Sequence, residues 1–409
     1  MSAVHKDEML VGLDIGTSKV VAVVAEMVNG LPIEIIGLGT YPSKGLKNGV
    51  VVDIESTTQA IKKSVLEAES MAGCHISSCY VGISGSHIKG LNSEGVVPIK
   101  DGEVKYGDVD RVIETAQAMA IPSDQKLLHV LPRDYIIDEQ NGIKEPLGMA
   151  GTRLQAKVHL VTCSENSSQN IQKCVSACGL GIEAFVLEQL ASSYSVLTDD
   201  ERELGVCLID IGCGTSDIAV FMDGSISFSD VIPIAGDHVT HDIAEALRTP
   251  PTQAEEIKQR YGCAVSSLTK ADEMMMVPGM GGRPERELSR QALADILEKR
   301  YVEIFSMAQQ KLNQSGFEPL IPAGIVLTGG ASKVEGAEEL AEEVFHAPVR
   351  LGSPEKIKGF SEVISNPIYA TSVGLLLYGQ KQMQEDHMNY IHRDKNIISR
   401  LSRWFGGNL

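Results

Sequence analysis

The sequence predicts an α/β protein made of two related domains that face each other across a cleft. Three observations support this prediction. The chain has 409 residues, which exceeds the usual size of one compact domain. Its composition suits a folded protein, with 43% hydrophobic and 22% charged residues. A pattern of strand, tight turn and strand also occurs once in each half of the chain.

The net charge and the cysteines disfavour several classes of function. The formal charge of −18 disfavours nucleic acid as a partner and restricts any contact with an anionic membrane to a local segment. The eight cysteines form no CxxC pair, so we predict neither a zinc site nor a redox motif. The sequence has no run of about 18 apolar residues and no hydrophobic signal core, so we expect a protein kept in the cytosol.

The first copy of the repeat lies near the N-terminus. Residues 10–19 read as a strand that ends in an aspartate and a turn of glycine and hydroxyl residues, and residues 20–38 supply two more strands. Such a turn directs backbone N–H groups at a phosphate, while the aspartate holds a hydrated divalent cation. We therefore predict a first phosphate turn, in which the lysine adds positive charge, from Asp14, Gly16, Thr17, Ser18 and Lys19.

Residues 206–234 repeat this pattern in the second half of the chain. The second phosphate turn is predicted from Asp210, Gly212, Gly214, Thr215 and Ser216. One such turn also occurs in ordinary hairpins, whereas two copies in register favour phosphate binding. Facing each other, the turns would clamp the β- and γ-phosphates of a nucleotide, and Asp14 with Asp210 would position Mg²⁺.

Two further segments suit the nucleoside. Residues 325–332 read as a strand that runs into Gly329 and Gly330, and a predicted helix follows over residues 334–345. Adjacent glycines lack Cβ atoms, so a flat base and its sugar can approach the backbone. Glu255 and Lys258 share one face of a helix predicted over residues 252–261 and would hydrogen-bond to the ribose or the base. The alternatives are an ordinary strand-to-helix turn and a solvated ion pair.

The C-terminal segment is predicted to be an amphipathic helix on a tether. Residues 380–396 are polar and read as a flexible linker. Beyond it apolar side chains recur with helical spacing, and arginines lie on the opposite face. The predicted membrane-contacting residues are Ile397, Ile398, Leu401, Trp404, Phe405, Arg400 and Arg403. Insertion into an anionic bilayer surface fits this pattern, and docking on the body or on a partner is the alternative.

One such helix should bind a membrane weakly. Partial burial of its apolar side chains gives at most about 7 to 15 kcal/mol. Ordering the segment costs a similar free energy. Firm attachment therefore requires many copies held together, which makes polymerisation a physical expectation.

With these motifs in this order, the chain resembles the actin, Hsp70 and sugar-kinase superfamily. Within it, the chain is similar to the bacterial cell-division family FtsA over essentially its whole length. Residues 44–55 and 277–301 carry the closer resemblance. One departure is Cys213, which stands where many relatives have the middle glycine of the second turn. A cysteine fits there if its φ angle is negative.

The resemblance implies an actin-like ATPase fold with an FtsA-type inserted subdomain, 1C. Its implied boundaries are residues 1–83 and 163–204 for subdomain 1A, 84–162 for 1C, 205–240 and 306–368 for 2A, 241–305 for 2B, 369–379 for a helix returning to 1A, 380–396 for the linker and 397–409 for a membrane-targeting helix. Residues 188–196 and 370–377 correspond to two interdomain helices around which the halves would hinge.

The resemblance also implies a function. The chain would be an ATP-binding adaptor, with Mg²⁺ and at most weak ATPase activity, that polymerises and anchors FtsZ to the cytoplasmic face of the inner membrane at the division site during septum assembly. Implied partners are the C-terminal peptide of FtsZ, further copies of the chain, inner-membrane lipid and other division proteins, and no nucleic acid. The peptide would dock on 2B, for which we select the arginines Arg283, Arg286, Arg290 and Arg300.

Alternatives remain at this point. The four arginines can instead be surface charges or members of intramolecular ion pairs. A kinase of a small hydroxylated metabolite would have the same fold, with Glu188 and Asp217 as the nearest candidates for its general base. A pilus-platform ATP-binding protein is the other alternative on this fold.

Overall fold

The computed structural model describes residues 8–27, 33–119, 121–270, 272–355, 357–360 and 364–385. Both strands and helices run through the described chain. The strands are β1 (Glu8–Ile15), β2 (Lys19–Met27), β3 (Glu34–Pro42), β4 (Leu46–Lys47), β5 (Val50–Val51), β6 (Ser78–Ile83), β7 (Lys89–Pro98), β8 (Gln125–Ile137), β9 (Gln140–Ile143), β10 (Arg153–Ser164), β11 (Gly181–Leu187), β12 (Val206–Ile211), β13 (Ser216–Met222), β14 (Ser225–Ile232), β15 (Met274–Val277), β16 (Arg286–Ser289), β17 (Ile325–Thr328) and β18 (Val349–Leu351).

The helices connect and cover these strands. They are α1 (Ile54–Ala72), α2 (Tyr106–Gln117), α3 (Glu165–Ala177), α4 (Glu188–Val196), α5 (Asp199–Leu204), α6 (Gly236–Leu247), α7 (Pro251–Tyr261), α8 (Arg290–Ser315), α9 (Ala337–Phe345) and α10 (residues 370–385). None of the helices within the described ranges is long and apolar enough to span a membrane.

Two five-stranded sheets share one topology. Their strand orders are β3-β2-β1-β6-β11 and β14-β13-β12-β17-β18. In each sheet three consecutive strands pair antiparallel, and two later strands join in parallel. The prediction of two related α/β domains is therefore confirmed. We call the domain with β1 the first lobe and the domain with β12 the second lobe.

The central strands are buried because helices cover the sheets and apolar residues run along the strands. In β12 and in most of β2 and β13 the residues are buried on both faces of the sheet. Such two-sided burial explains why the sequence shows continuous apolar runs at these places instead of alternation. Each strand that ends in a phosphate turn is therefore fixed in a rigid core.

The inserted segment after β6 forms a separate sheet of order β7-β10-β8-β9. Helix α2 packs on it, and side chains such as Val97, Val112 and Leu154 form its own apolar core. At the start of α2, Asp108 accepts a hydrogen bond from the Lys105 N–H over 3.0 Å. It does so from inside the first helical turn, and Lys105 is the N-cap residue. We call this unit the inserted sheet domain.

Helices α4 and α10 cross between the lobes. The predicted bounds of α4 are confirmed, and Ser195 Oγ donates to the carbonyl of Ala370 over 2.7 Å. The predicted start of the linker at residue 380 is wrong, because α10 continues to residue 385. Its polar composition suggested a linker, but Met383 packs against the core and Lys381 Nζ lies 3.4 Å from Tyr194 Oη. The rest of the linker and the predicted membrane helix lie outside the described residues.

Candidate nucleotide site

The structure brings the two predicted phosphate turns into contact. A Cβ atom built on Gly214 would lie only 2.7 Å from Thr17 Oγ1, so the second turn touches the first across the lobes. The turns also have equivalent backbone geometry. Gly16 N donates to Lys19 O over 3.0 Å, and Gly212 N donates to Thr215 O over 2.9 Å. The repeated sequence motif thus forms a repeated turn on both sides of one cleft.

The start of α6 supports the second turn. Gly236 N donates to Gly212 O over 3.1 Å, and Asp237 N donates to Cys213 O over 2.8 Å. The Ser216 hydroxyl donates to Ile234 O over 2.7 Å, so this predicted phosphate ligand is already engaged within the protein. Cys213 is absent from the non-glycine residues with positive φ, which confirms that a cysteine fits the turn. Burial raises the pKa of its thiol to about 11.

Four carboxyl groups gather beside the turns, of which Asp210 and Asp217 are buried and Asp14 and Glu188 are half-buried. Burial raises the pKa of Asp14 to about 6, although Lys19 opposes the rise. Burial raises the pKa of Asp217 to about 7 and that of Asp210 above its usual range. The pKa of Glu188 lies well above its usual range, because of burial and of its proximity to Asp14, Asp217 and Asp210. The raised pKa values indicate that ionising all four groups at once is costly unless a cation compensates their charge.

Residues of the two interdomain helices hold the paired aspartates. Asp210 Oδ2 accepts hydrogen bonds from Ser192 Oγ on α4 over 2.5 Å and from Thr371 Oγ1 on α10 over 3.3 Å. Asp14 Oδ2 accepts from Ser372 Oγ on α10 over 3.1 Å. The carboxylates at the ends of β1 and β12 are thus oriented by the hinge helices.

The donor chemistry of the cleft fits a hydrated divalent cation. Mg²⁺ prefers oxygen ligands and keeps several waters, so one or two carboxylates together with phosphate oxygens suffice to bind it. Within the described ranges, no group of three or more His, Cys, Asp or Glu side chains is arranged to hold a metal ion alone. Asp14 and Asp210 remain the residues that would face the cation, directly or through water.

Lys19 lies at the same place and contributes positive charge. Its ammonium group stacks on the Tyr369 ring with its nitrogen 4.5 Å from the centroid. Burial lowers the pKa of Lys19, nearby Asp14 acts to raise it, and nearby Lys333 lowers it further. Lys333 and Tyr369 were not predicted as site residues. Neither belongs to a recognisable motif, and only the folded chain brings them beside the first turn.

The predicted nucleoside residues line the second lobe next to its phosphate turn. Lys258 is 7% exposed, and its Nζ donates to Gly236 O over 2.9 Å and to Thr240 Oγ1 over 2.8 Å. It also pairs with Glu255 over 2.6 Å. The alternative of a solvated ion pair does not fit, because Lys258 fastens α7 to the start of α6. Glu255 is the more accessible member of the pair, with a side chain 40% exposed.

The Gly-Gly turn adjoins the second aspartate. Gly329 has a φ of 88°, and a Cβ atom there would lie 2.4 Å from Asp210 Oδ1. Only glycine suits this position, for conformational and steric reasons. Gly330 begins a short 3-10 helix, whose Ala331 carbonyl accepts a hydrogen bond from buried Tyr301 over 2.6 Å. The turn is thus held firmly against the end of β12.

A hairpin tip that sequence reasoning missed lies between the two turns. It is the β4–β5 tip, residues Asn48 and Gly49, with φ angles of 48° and 76°. Gly49 N donates to Thr17 Oγ1 over 3.3 Å, and the Cα of Asn48 lies 3.0 Å from a Cβ built on Gly214. An Asn-Gly pair signals a tight hairpin. Its position between the turns depends on tertiary packing, which that signal does not contain.

The four arginines selected for a peptide partner have different surroundings. Arg290 pairs with Glu273 and Glu335, and Arg300 pairs with Asp242 and Glu303. Arg286 donates to a backbone carbonyl, that of Leu247. Three of the four therefore have intramolecular partners, as the alternative interpretation expected, while Arg283 is exposed. A cavity of about 450 Å³ between α6 and α8 is lined in part by Ile296, Lys299 and Arg300.

Comparison with known proteins gives the family. A family model for the cell division protein FtsA matches residues 207–374, and a model for the SHS2 domain inserted in FtsA matches residues 85–162. The second range starts one residue after the range 84–162 that we predicted for the inserted subdomain and ends at the same residue. A Pseudomonas aeruginosa protein named cell division protein FtsA is 58% identical over 416 residues, covering 100% of both chains. The protein of that name from Escherichia coli K12 is 46% identical and covers 97% of this chain and 96% of its own.

Solved structures show the same fold at low sequence identity. A PilM-PilN type IV pilus biogenesis complex matches with a TM-score of 0.66 at 19% identity, covering 90% of this chain and 98% of that one. Spiroplasma citri MreB5 bound to AMPPNP matches with a TM-score of 0.56 at 16% identity, covering 94% and 99%. The fold class and the family resemblance predicted from the sequence are thereby confirmed. The chain belongs to the FtsA family of cell-division proteins and has an actin-like ATPase fold.

Proposed function

We propose that the protein binds ATP with Mg²⁺ between the two lobes, polymerises, and anchors FtsZ to the cytoplasmic face of the inner membrane during septum assembly. One observation carries the nucleotide part of this proposal: two equivalent turns touch across the cleft beside four carboxyl groups whose pKa values are raised. The related fold of MreB5 in complex with AMPPNP supports it. Membership of the FtsA family supports the role in division.

The phosphates would lie between the turns. Backbone N–H groups of Thr17 and Ser18 would face those of Gly214 and Thr215, and Lys19 would add charge from the first lobe. The N–H groups of Gly16 and Gly212 instead close their own turns. Mg²⁺ would neutralise the triphosphate next to Asp14 and Asp210. Gly329 and Gly330 leave space for the nucleoside, and Glu255 is the polar group that remains to meet it. We assign Lys258 a supporting position, because its donors are engaged within the protein.

Weak hydrolysis at most is proposed from the role of an adaptor. Glu188 and Asp217 are the candidates for activating water, as they would be for the general base of a kinase. Burial raises the pKa of both groups, to about 7 for Asp217. A pKa near the working pH suits a general base, so these groups permit the activation of water. An adaptor, however, requires only that nucleotide binding brings the lobes together, and it has no need of rapid turnover.

The peptide of FtsZ would dock on the second lobe near α6 and α8. Exposed Arg283 and Lys299 at the rim of the cavity supply positive charge for an acidic peptide, and Ile296 supplies apolar surface. Arg290 and Arg300 are weaker candidates, because each already pairs with two carboxylates. The predicted helix over residues 397–409 would attach the polymer to lipid. Other division proteins would bind the protein at the division site.

Cosedimentation of the full chain tests this proposal. Vesicles with anionic lipid and an FtsZ tail peptide are mixed with the protein, with and without ATP and Mg²⁺. We expect the protein and the peptide to be recovered with the vesicles, more completely with ATP. Deletion of residues 397–409 should abolish this recovery while nucleotide binding persists. Recovery that survives the deletion contradicts the adaptor function. ATP turnover stimulated by a small sugar would instead identify a metabolite kinase.

A further inference from the structure

Ser84 connects the two lobes at the phosphate turns. It follows β6 of the first lobe directly, and its hydroxyl donates a hydrogen bond to Asp217 of the second lobe. The same hydroxyl lies 3.4 Å from Thr215 Oγ1, in the second phosphate turn. Ser84 is 2% exposed and Asp217 is 3% exposed, so water does not compete for these bonds. The contact joins residues 133 positions apart in the chain.

The β4–β5 tip holds the backbone of Ser84 in place. A Cβ atom built on Gly49 would lie 3.0 Å from Ser84 O and 3.2 Å from Gly85 Cα, so the tip packs directly on this segment. The tip also donates to Thr17 of the first turn over 3.3 Å. Ser84 is therefore positioned relative to the first turn as well as bonded to the second lobe.

The electrostatics make the Ser84 hydroxyl important to Asp217. Burial and the nearby charges of Asp210 and Asp14 disfavour the ionised form of Asp217. The donors that favour the charged carboxylate are Ser84 and Thr215, the latter over 3.1 Å. Removing Ser84 leaves Thr215 as the donor to a crowded, buried carboxyl group. The orientations of the Asp217 carboxyl group and of the Thr215 hydroxyl are then less well defined.

We propose that Ser84 is a positioning residue that fastens the second phosphate turn to the opposite lobe through Asp217. This inference rests on the proposed nucleotide function. The Ser84 contact joins the two lobes, so it would strengthen binding of a ligand that engages both turns. A nucleoside triphosphate reaches both turns with its terminal phosphate, whereas a diphosphate lacks that group. Ser84 thereby sets the preference of the cleft for ATP over ADP.

The test compares ATP and ADP affinities of the full chain with Mg²⁺ by competition against a fluorescent nucleotide. We expect S84A to weaken ATP binding by about tenfold, the typical effect of one lost hydrogen bond to a charged group, and ADP binding by less than about twofold. S84T, which keeps the hydroxyl, should restore most of the preference. S86A is the matched control, because Ser86 is an exposed serine two positions away.

A double-mutant cycle with D217A shows whether Ser84 acts through Asp217, even if the added methyl group of S84T is not tolerated. Non-additive effects on ATP affinity support the inference, and additive effects overturn it. An equal loss of ATP and ADP affinity in S84A also overturns it, while leaving the proposed function intact. A wild-type chain that binds neither nucleotide overturns the proposed function itself and this inference with it.

Discussion

Acidification should destabilise the contact between the inserted sheet domain and the second lobe, through His159. This residue lies on β10 and is 1% exposed. Its Nδ1 is 2.8 Å from Asn92 Oδ1, and its Nε2 is 2.9 Å from Ser229 Oγ on β14. Because an amide oxygen only accepts, the hydrogen is on Nδ1, and Nε2 accepts from Ser229. The network therefore fits a neutral ring.

The size of the effect follows from the pKa of His159. Burial, together with Arg133 and His129, lowers it from 6.5 to about 4. The unfolded chain then binds more protons than the folded chain between these two values, so stability falls as the pH drops from 6.5 towards 4. The window between the two pKa values spans about 2.5 pH units, and pH 5 lies about 1.5 units below its upper end. The free energy of unfolding at pH 5 is therefore lower by about 2 kcal/mol.

Urea denaturation at pH 7 and pH 5, followed by circular dichroism, measures this effect. The variant H159Q cannot titrate, so the free energy of unfolding should depend less on pH than in the wild type, by about 2 kcal/mol over this interval. The variant loses some stability at pH 7, and the comparison concerns only the change with pH. H75Q is the matched control, since the His75 side chain is 88% exposed. Equal pH dependence in wild type and H159Q would refute the assignment of a buried, neutral His159.

Three further predictions concern the cleft and its support. G329A should weaken ATP binding at least about tenfold in the fluorescence assay, because a Cβ atom would lie 2.4 Å from Asp210. The control is G281A, at an exposed position where a Cβ atom has nothing within 4 Å, and this variant should bind ATP normally. Chelation of Mg²⁺ should weaken ATP binding in the wild type but have less effect in D210N, which already lacks one carboxylate charge, as titration calorimetry would show. R350A should lower the free energy of unfolding by about 1 kcal/mol in urea titrations, because it removes two hydrogen bonds to Glu201 of 2.6 and 2.7 Å.

The parts of the fold that were predictable depend on local patterns. Apolar runs that end in Asp-x-Gly turns predicted the strands around both turns. These runs are continuous because both faces of the strands are buried. The same repeat predicted two related domains, and the two sheets have the same strand order. In each case one stretch of chain contains the physical cause.

The parts that were not predictable depend on contacts between distant segments. Nothing near Ser84 in the sequence indicates that its hydroxyl meets Asp217 across the cleft. Residues 380–385 have a linker-like composition, yet packing against the body extends α10 through them. Lys258 was predicted to contact the nucleoside, but its use as an internal support depends on α6. Composition and spacing describe one segment at a time and do not contain these pairings.

The paired aspartates are hydrogen-bonded to both interdomain helices, an arrangement that would link ligand binding to hinge motion. Asp210 accepts hydrogen bonds from both interdomain helices, through Ser192 on α4 and Thr371 on α10, and Asp14 accepts one from Ser372 on α10. A cation and a phosphate between these carboxylates would relieve their repulsion and change the strength of the same bonds. The interdomain helices would therefore respond to the charge in the cleft through direct contacts. If the site binds its ligand as proposed, three hydroxyl groups would couple its occupancy to closure of the lobes, with no long pathway between them.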